Sequence, residues 1–489
     1  MALQIMNFLL DIVWGPFTPV AIIACSLYFS IRTRFVQIRK IKQMWKQLFG
    51  SRQKAEHGIN GFQSFMISAA ARVGTGNIAG VAGAICYGGP GAVFWMCVSA
   101  LLGAASSFVE STIAQIFKER YENNEFRGGT AYFITKGLRA PWLAVIFTIF
   151  AWFTQGFGFH LPNMTSITSS LQASMSIPPI VPTIAAAVLF VLIVFGGVRG
   201  IAKFMDGAVP FMSVLYLFMC IVILVLNIGR IPATIALIVN SALNPKSFLG
   251  GMMGSAISWG VKRGLYSNEG GMGSSCPAAA SSDVEHPAQE GLTQALAVYF
   301  DTLVICLIGA VTVIASNSFN VMSDGVALIE NLPGVEPGPL FIQSAFAVVF
   351  GNLGAILLAI CICFFCFTSI VAMHYYAEVN ACYLFKNHTK GATLAARIIS
   401  VIAIFLGGLT YSDLAWSVGD LGLGLMAFVN FPVILILGKY AFAALRDYEE
   451  QEKAGVKRFT FDPAKLGIRG ADEQMWAELS ARAKNQEQI

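Results

Sequence analysis

A glycine-rich sequence with polar side chains interrupts an otherwise apolar part of the chain at residues 69–80, AAARVGTGNIAG. Gly74 and Gly76 flank Thr75, and each glycine weakens a helix by about 1 kcal/mol relative to alanine. If the helix unwinds here, freed carbonyl groups and the Asn77 amide oxygen can bind a cation, and freed N–H groups can hold a carboxylate. The alternative is that these glycines only allow a close contact with a neighbouring helix.

Two adjacent hydroxyl side chains, Thr368 and Ser369, lie in the middle of another apolar run. Together with the backbone carbonyl groups of Ala70 and Val73, they would form an all-oxygen shell, which suits a hard cation such as sodium. Hydroxyl groups in such positions also commonly bond back to a carbonyl of their own helix. The pattern predicts a sodium site and leaves back-bonding as the alternative.

Four charged residues fall inside apolar runs, where an isolated charge is costly and normally faces a cavity or a partner. They are Arg72, Glu110, Asp301 and Asp420. Asp301, followed by Thr302, could complete a cation site with Asn77. The alternative is that these residues form structural ion pairs, such as Arg72 with an acidic neighbour.

A second glycine-rich stretch falls in a later apolar segment. It contains Gly250, Gly251, Gly254, Ser255, Ser258, Trp259, Gly260 and Gly264. We expect it to interrupt its helix in the same way as the first stretch. The two interruptions are five spans apart, and an inverted repeat of five plus five helices with one helix in front predicts that spacing.

The elements that position these residues must lie in lipid, because the chain is 56% hydrophobic and only 12% charged. A bilayer core of about 30 Å needs about 20 apolar residues per helix, and the chain supplies about eleven such runs. They lie at 12–31, 61–88, 91–117, 141–160, 180–198, 208–228, 248–268, 291–315, 342–384, 394–411 and 414–442. The sequence therefore predicts an all-α polytopic membrane protein.

Loop charge predicts the orientation of these spans. No Lys or Arg precedes the first span, whereas six lie between residues 32 and 46. Basic loops stay in the cytoplasm, so we expect the N-terminus outside and the C-terminus inside an inner membrane. Lys262 and Arg263 count among the inside residues, and with Glu269 we expect them at the cytoplasmic mouth.

The same reading divides the chain into four regions. They are an N-terminal helix and basic loop at 1–60, a first five-helix repeat at 61–245, a second at 246–442 and a cytoplasmic tail at 443–489.

Catalytic signatures are absent from the sequence, and we expect no enzyme. No histidine begins a zinc-binding HExxH motif, and Gly438-Lys439 is followed by Tyr440 rather than the Ser or Thr of a nucleotide-binding loop. The ten cysteines lie mostly within apolar runs as small hydrophobic residues. The net charge of +5 is explained by the basic loops and does not indicate nucleic acid as a partner.

Four long motifs resemble the alanine or glycine:cation symporter family, and the resemblance covers nearly the whole chain. They lie at 70–77 (AARVGTGN), 88–96 (GGPGAVFWM), 103–112 (GAASSFVEST) and 262–270 (KRGLYSNEG). The resemblance implies a LeuT-type fold, co-transported sodium and a small neutral amino acid as substrate. It also implies that residues 74–77, with Ser258 and Trp259, surround the substrate, and that Asn77 and Thr368 bind sodium.

Departures from the family pattern leave the substrate open. The fourth span has His160, Pro162, Asn163 and Thr165 where the family usually offers Gln and Asn. If Asn163 lines the pocket, glutamine or another neutral amino acid could replace alanine or glycine, with sodium or proton coupling. A channel or a sensor gated by an amino acid is the alternative from another functional class.

Overall fold

The computed structural model describes residues 2–15, 17–52, 55–121, 125–245, 249, 252–323, 325–410 and 412–487, and this part is mostly helical. The predicted all-α polytopic class is confirmed. Gly250 and Gly251, together with the predicted boundary at 246 and the predicted span start at 248, lie outside the described residues.

The helices and strands of the first half of the chain follow one another closely along the sequence. In order they are α1 (Ala2–Val13), α2 (Phe17–Arg32), α3 (Val36–Arg39), α4 (Ile41–Gly50), α5 (Gly61–Arg72), a π-helical turn (Gly76–Gly80), α6 (Val81–Gly88), α7 (Gly91–Ile116), β1 (Glu119–Tyr121), β2 (Glu125–Arg127), α8 (Thr130–Phe133), a π-helical turn (Ile134–Leu138), α9 (Pro141–Phe153), a π-helical turn (Thr154–Gly158), α10 (His160–Met175), α11 (Ile180–Val194), α12 (Gly197–Leu226), a 3-10 turn (Ile228–Arg230) and α13 (Ile231–Leu243).

The second half of the chain continues with α14 (Met253–Asn268), α15 (Cys276–Ser281), α16 (Pro287–Tyr299), a π-helical turn (Phe300–Cys306), α17 (Leu307–Ala315), β3 (Asn320–Ser323), β4 (Val326–Glu330), α18 (Pro339–Phe350), α19 (Asn352–Leu384), a 3-10 turn (Lys386–His388), α20 (Thr389–Leu409), α21 (Ser412–Lys453) and α22 (Glu473–Glu487). Both strand pairs are antiparallel hairpins. Glu119 lies opposite Arg127 in the first, and the second has an irregularity between Val321 and Met322.

Eight helical segments in the described part of the chain are long and apolar enough to cross a membrane. Three shorter apolar helices, Ile180–Val194, Ile228–Leu243 and Pro339–Phe350, accompany them. The second predicted span, 61–88, is absent from the eight because it is divided into α5 and α6. The number eleven therefore stays a prediction, whereas a membrane protein with many spans is confirmed.

The predicted ninth span, 342–384, is wrong as a single helix. It consists of the end of α18 and the whole of α19, which meet at Gly351 with a positive φ of 61°. A Cβ atom at Gly354 would lie 2.5 Å from the Phe346 carbonyl oxygen, so the two helices pass very close to each other. The left-handed glycine ends the first helix and allows the chain to change direction.

The predicted interruption around Ser258 and Gly260 is also wrong, because α14 is continuous from Met253 to Asn268. A Cβ atom at Gly260 would lie 2.5 Å from the Ala92 carbonyl oxygen, and one at Gly264 would collide with the Ser99 hydroxyl. These glycines let α14 pack closely against α7, as small residues do at helix contacts in membranes. The chain leaves the helix only after Asn268.

The C-terminal tail folds back onto the helices that lead to the site. Trp476 of α22 is fully buried, and its Nε1 donates to the Ile116 carbonyl oxygen over 3.2 Å. Arg482 pairs with Asp283 over 2.6 Å. Burial lowers the pKa of the Lys118 ammonium to about 7, and its Nζ donates to the Ser282 carbonyl oxygen. The tail thus holds the end of α7 and the loop between α15 and α16 together.

Candidate functional site

The break predicted between Arg72 and Gly76 is present in the structure. α5 begins at a capping box formed by Asn60 and Gln63 and ends at Arg72, and a π-helical turn starts at Gly76. Val73 has left the helical conformation, with φ −77° and ψ 89°. π-Helical turns within α-helices frequently mark functional sites. We call residues 73–75 the first break.

Side chains replace the helical hydrogen bonds that the first break loses. The Gly74 N–H, which would pair with the Ala70 carbonyl in a continuous helix, donates to Asn77 Oδ1 over 2.9 Å. The Thr75 N–H donates to Asn163 Oδ1 over 3.1 Å. The carbonyl groups one turn earlier are thereby released from their helical partners.

Close approach explains why a glycine stands at position 74. A Cβ atom there would lie 2.9 Å from Ser369 Oγ and 3.0 Å from Asn163 Oδ1. Ser369 Oγ donates to the Ala71 carbonyl oxygen over 3.1 Å, so α19 reaches the released carbonyl groups. The hydroxyl of Thr75 forms a hydrogen bond with that of Ser166.

A buried carboxylate lies beside the first break. Asp301 is fully buried in the π-helical turn between α16 and α17, and its Oδ1 accepts from Asn77 Nδ2 over 2.6 Å. Its Oδ2 accepts from Ser267 Oγ over 2.7 Å and from Thr302 Oγ1 over 2.8 Å. Among the described residues, no Lys, Arg or His lies within 4.0 Å of this carboxylate. An oxygen-rich cluster that includes a buried carboxylate has the chemistry to hold an alkali cation.

The two predicted hydroxyl ligands differ in their surroundings. Thr368 Oγ1 donates to the Phe364 carbonyl over 2.8 Å and to the Phe365 carbonyl over 3.1 Å, which is the back-bonding alternative. Ser369 instead contacts the first break. Of the two, the structure brings only the Ser369 hydroxyl to the carbonyl groups of α5.

Trp259, which follows Ser258 in α14, lies away from the first break. The Trp259 ring centroid is 5.0 Å from that of Tyr87, at the end of α6. Tyr87 follows Asn77 by ten residues, which corresponds to about 15 Å of helix. The structure therefore places Trp259 beside the end of α6 and not beside the first break, and Ser258 precedes it in α14.

The second interruption of the helices lies at residues 269–275, between α14 and α15, and we call it the second break. Glu269, Gly271 and Gly273 have positive φ angles of 55°, 87° and 74°. The chain is thus interrupted a second time, but after α14 and not within the predicted span 248–268, so the predicted position of the second interruption is wrong.

Two buried charges hold the second break. Arg72 donates to the Asn268 carbonyl over 2.8 Å and to Ser275 Oγ over 3.0 Å. Glu110 accepts from the Gly271 N–H over 3.1 Å and from the Gly273 N–H over 2.8 Å. The guanidinium thus satisfies the carbonyl end of α14, and the carboxylate satisfies amides ahead of α15.

The ion-pair alternative holds for Asp420 and not for Arg72. Asp420 pairs with Lys262 over 2.9 Å and with Arg263 over 3.0 Å. Arg72 has no acidic partner within 4.0 Å in the described part of the chain. Lys262 and Arg263 lie within α14 and not in a loop, and their pairs with Asp420 hold α14 to α21.

Sequence reasoning missed three neighbours of the site, Ser166, Tyr266 and Ser267. Ser166 follows Asn163 by three residues and therefore shares its face of α10. Tyr266 and Ser267 belong to the motif at 262–270, and the family resemblance of that motif is the signal that could have identified them. The Tyr266 ring would lie 3.1 Å from a Cβ atom at Gly76.

Comparison with known proteins covers almost the entire chain. Residues 1–463 match the sodium:alanine symporter family. A Bacillus subtilis protein, named provisionally as a sodium/proton-dependent alanine carrier, is 44% identical over 465 residues, or 94% of this chain and 95% of the relative. The sodium/alanine symporter of Methanococcus maripaludis is 32% identical over 461 residues, or 93% of this chain and 99% of the relative. A Bacillus subtilis "probable sodium/glutamine symporter" is 37% identical over 446 residues, or 91% and 90%.

Proposed function

The chain belongs to the sodium:alanine symporter family, and from that premise we propose that a small neutral amino acid, alanine or glycine, binds at the first break. The chain is a sodium-coupled amino-acid symporter and not an enzyme. The observation that carries the proposed location is the interrupted helix at residues 73–75, beside which a buried carboxylate has no cationic partner among the described residues.

The substrate carboxylate binds the amides of residues 74–76. The Gly74 and Thr75 N–H groups are satisfied by the side chains of Asn77 and Asn163, which are neutral acceptors that a carboxylate can displace. A charged acceptor forms the stronger hydrogen bond, so this exchange is favourable. Asn163 of α10 therefore contacts the proposed substrate site directly.

Sodium binds at two groups of oxygen atoms around the same break. One is formed by Asp301, Asn77 and their hydroxyl neighbours, whose negative charge a cation would balance. The other is formed by the carbonyl groups of Ala70 and Val73 with the hydroxyls of Thr368 and Ser369. The Ser369 hydroxyl already reaches the α5 carbonyl groups, and Thr368 joins them when it gives up its back-bond to α19.

Aromatic rings close one side of the substrate region and favour a small side chain. Tyr266 lies against Gly76, with its ring centroid 5.0 Å from that of Phe159 and 5.0 Å from that of Trp416. This arrangement favours alanine or glycine. Trp259, whose ring lies beside Tyr87, and the preceding Ser258 line the approach to the site rather than the substrate itself.

Alternating access follows from a LeuT-type inverted repeat, with one repeat at 61–245 and the other at 246–442. An N-terminal helix and basic loop at 1–60 precede the repeats, and the tail at 443–489 follows them. Support comes from the two breaks, one in each repeat. Sodium and amino acid favour the same conformation, a reciprocal coupling typically worth about 1–3 kcal/mol. The N-terminus lies outside an inner membrane and the C-terminus in the cytoplasm, as the basic loops indicate.

Glutamine is the second candidate substrate, because a relative of similar identity carries it in its name. Uptake by proteoliposomes that contain the purified protein decides between the candidates. We expect saturable alanine and glycine uptake in sodium, and little uptake when choline replaces sodium. Equal uptake in choline would refute sodium coupling at the site, and uptake of glutamine but not alanine would refute the proposed substrate.

A further inference from the structure

Three cationic side chains surround a cavity at the end of α21 where the C-terminal tail begins. The cavity has a volume of about 500 Å³, and Lys439, Arg446 and Arg469 line it. Lys439 and Arg446 project from α21, and Arg469 belongs to the tail segment that crosses it. All three are exposed.

None of these cations forms an ion pair within 4.0 Å among the described residues, and no acidic side chain lines the cavity. The acidic residues that follow on α21 have partners elsewhere: Asp447 contacts His286, Glu449 pairs with Arg39 and Glu452 pairs with Lys40. Glu450, one turn beyond Arg446, does not line the cavity. The cavity therefore has a positive potential that the chain itself does not neutralise.

The same face of α21 is apolar on the other side of Lys439. Phe428, Pro432 and Leu435 precede Lys439 at spacings of four, three and four residues, which places all of them on one helix face. They line an apolar cavity of about 160 Å³ between α2 and α21. Leu435 is 36% exposed and Phe428 is 46% exposed. Because α21 is long and apolar enough to span a membrane, these side chains can face lipid.

We propose that this face of α21 binds an anionic phospholipid, whose phosphate lies among the three cations and whose acyl chain follows the apolar cavity. Leu435 and Lys439 are separated by about 6 Å along the helix axis. Over that distance the helix face changes from apolar to cationic, and a phospholipid changes in the same order from acyl chain to anionic headgroup. A soluble phosphate would use the cations but would gain nothing from the apolar face. The continuity of the two surfaces therefore favours a lipid.

Native mass spectrometry of the detergent-purified full chain, titrated with phosphatidylglycerol or phosphatidylcholine, tests the proposal. We expect phosphatidylglycerol to bind more tightly, and the triple variant Lys439→Gln, Arg446→Gln, Arg469→Gln to bind it roughly a hundredfold more weakly. The matched control changes three exposed cations that line neither cavity, Arg34→Gln, Lys42→Gln and Lys453→Gln. It should lose much less affinity, and an equal loss in both triple variants would show general charge attraction and overturn the site.

Two further arms separate a lipid from a free anion. Leu435→Ser should weaken binding of phosphatidylglycerol several-fold, and millimolar inorganic phosphate should not displace the lipid. Displacement by inorganic phosphate, or unchanged lipid binding by Leu435→Ser, would overturn the proposal of a bound lipid. Thermal unfolding of each variant in detergent checks that the fold is retained.

Discussion

The two breaks of this protein are held open by different kinds of groups. At the first break, the side chains that take the place of helical hydrogen bonds are neutral: Asn77, Asn163 and Ser369. At the second break, the charged side chains of Arg72 and Glu110 hold the chain. Both regions are buried, so the contrast is one of chemistry and not of access to water.

This difference has an energetic consequence. A neutral hydrogen bond contributes about 0.5–1.5 kcal/mol to stability, whereas one to a charged group contributes about 1.5–3 kcal/mol. A ligand can therefore replace the neutral partners of the first break at small cost. We therefore expect the second break, which Arg72 and Glu110 hold, to be the more rigid of the two.

Arg72→Lys gives the largest expected effect on this comparison. A lysine ammonium cannot reach the Asn268 carbonyl and Ser275 in the forked geometry of a guanidinium, so the second break loses one of its two charged supports. We expect the free energy of unfolding to fall by about 3 kcal/mol. Thermal unfolding in detergent measures this loss.

The control for Arg72→Lys is Arg39→Lys, which changes a pair with Glu449 whose arginine is 37% exposed. Pairs on the surface contribute about 0–1 kcal/mol, so the control should unfold near the wild-type temperature. If both variants lost the same stability, Arg72 would not hold the second break and the contrast between the two regions would disappear.

Asp301→Asn tests whether the carboxylate beside the first break serves a ligand rather than the fold. Its carboxylate accepts three hydrogen bonds but has no cationic partner within 4.0 Å in the described part of the chain, so the substitution should cost less stability without sodium than the loss of a buried ion pair. We expect the sodium concentration for half-maximal alanine uptake to rise roughly tenfold or more, because a nearby unit charge is worth several kcal/mol to a cation. Sodium-dependent uptake in proteoliposomes gives this value.

Asp420→Asn is the matched comparison, since it removes the same charge from a buried site with two cationic partners. Breaking such a pair typically costs about 3–5 kcal/mol, so this variant should lose stability whether or not sodium is present. A loss of stability by Asp301→Asn of the same size would mean that Asp301 is structural.

Glycine content alone predicted one break correctly and misplaced the other, for a physical reason. Gly74 stands where the helix unwinds, whereas Gly260 and Gly264 stand where α14 approaches α7. Both uses require a missing Cβ atom, and only the neighbouring helix distinguishes them. Gly271 and Gly273, with positive φ angles, mark the second break.

Long-range contacts of the site could be predicted only in part. The pattern of hard oxygen ligands suggested Asp301 as a partner of Asn77, and the structure places them 2.6 Å apart. The roles of Arg72 and Glu110 could not be predicted, because a charge in an apolar run shows that a partner is needed but not which backbone groups supply it. Those groups belong to a segment about 160 to 200 residues away.

The smallest expected effect on the sodium dependence of uptake comes from two neighbouring substitutions in α19, Ser369→Ala and Thr368→Val. Ser369 Oγ bonds to the Ala71 carbonyl of the first break, whereas Thr368 Oγ1 bonds within α19. Loss of one neutral ligand should raise the sodium concentration for half-maximal uptake about three- to tenfold in Ser369→Ala. Thr368 must first give up its back-bond, so Thr368→Val should have a smaller effect in the same direction. A larger effect of Thr368→Val would mean that Thr368 is the principal ligand and that sodium binding reorganises α19.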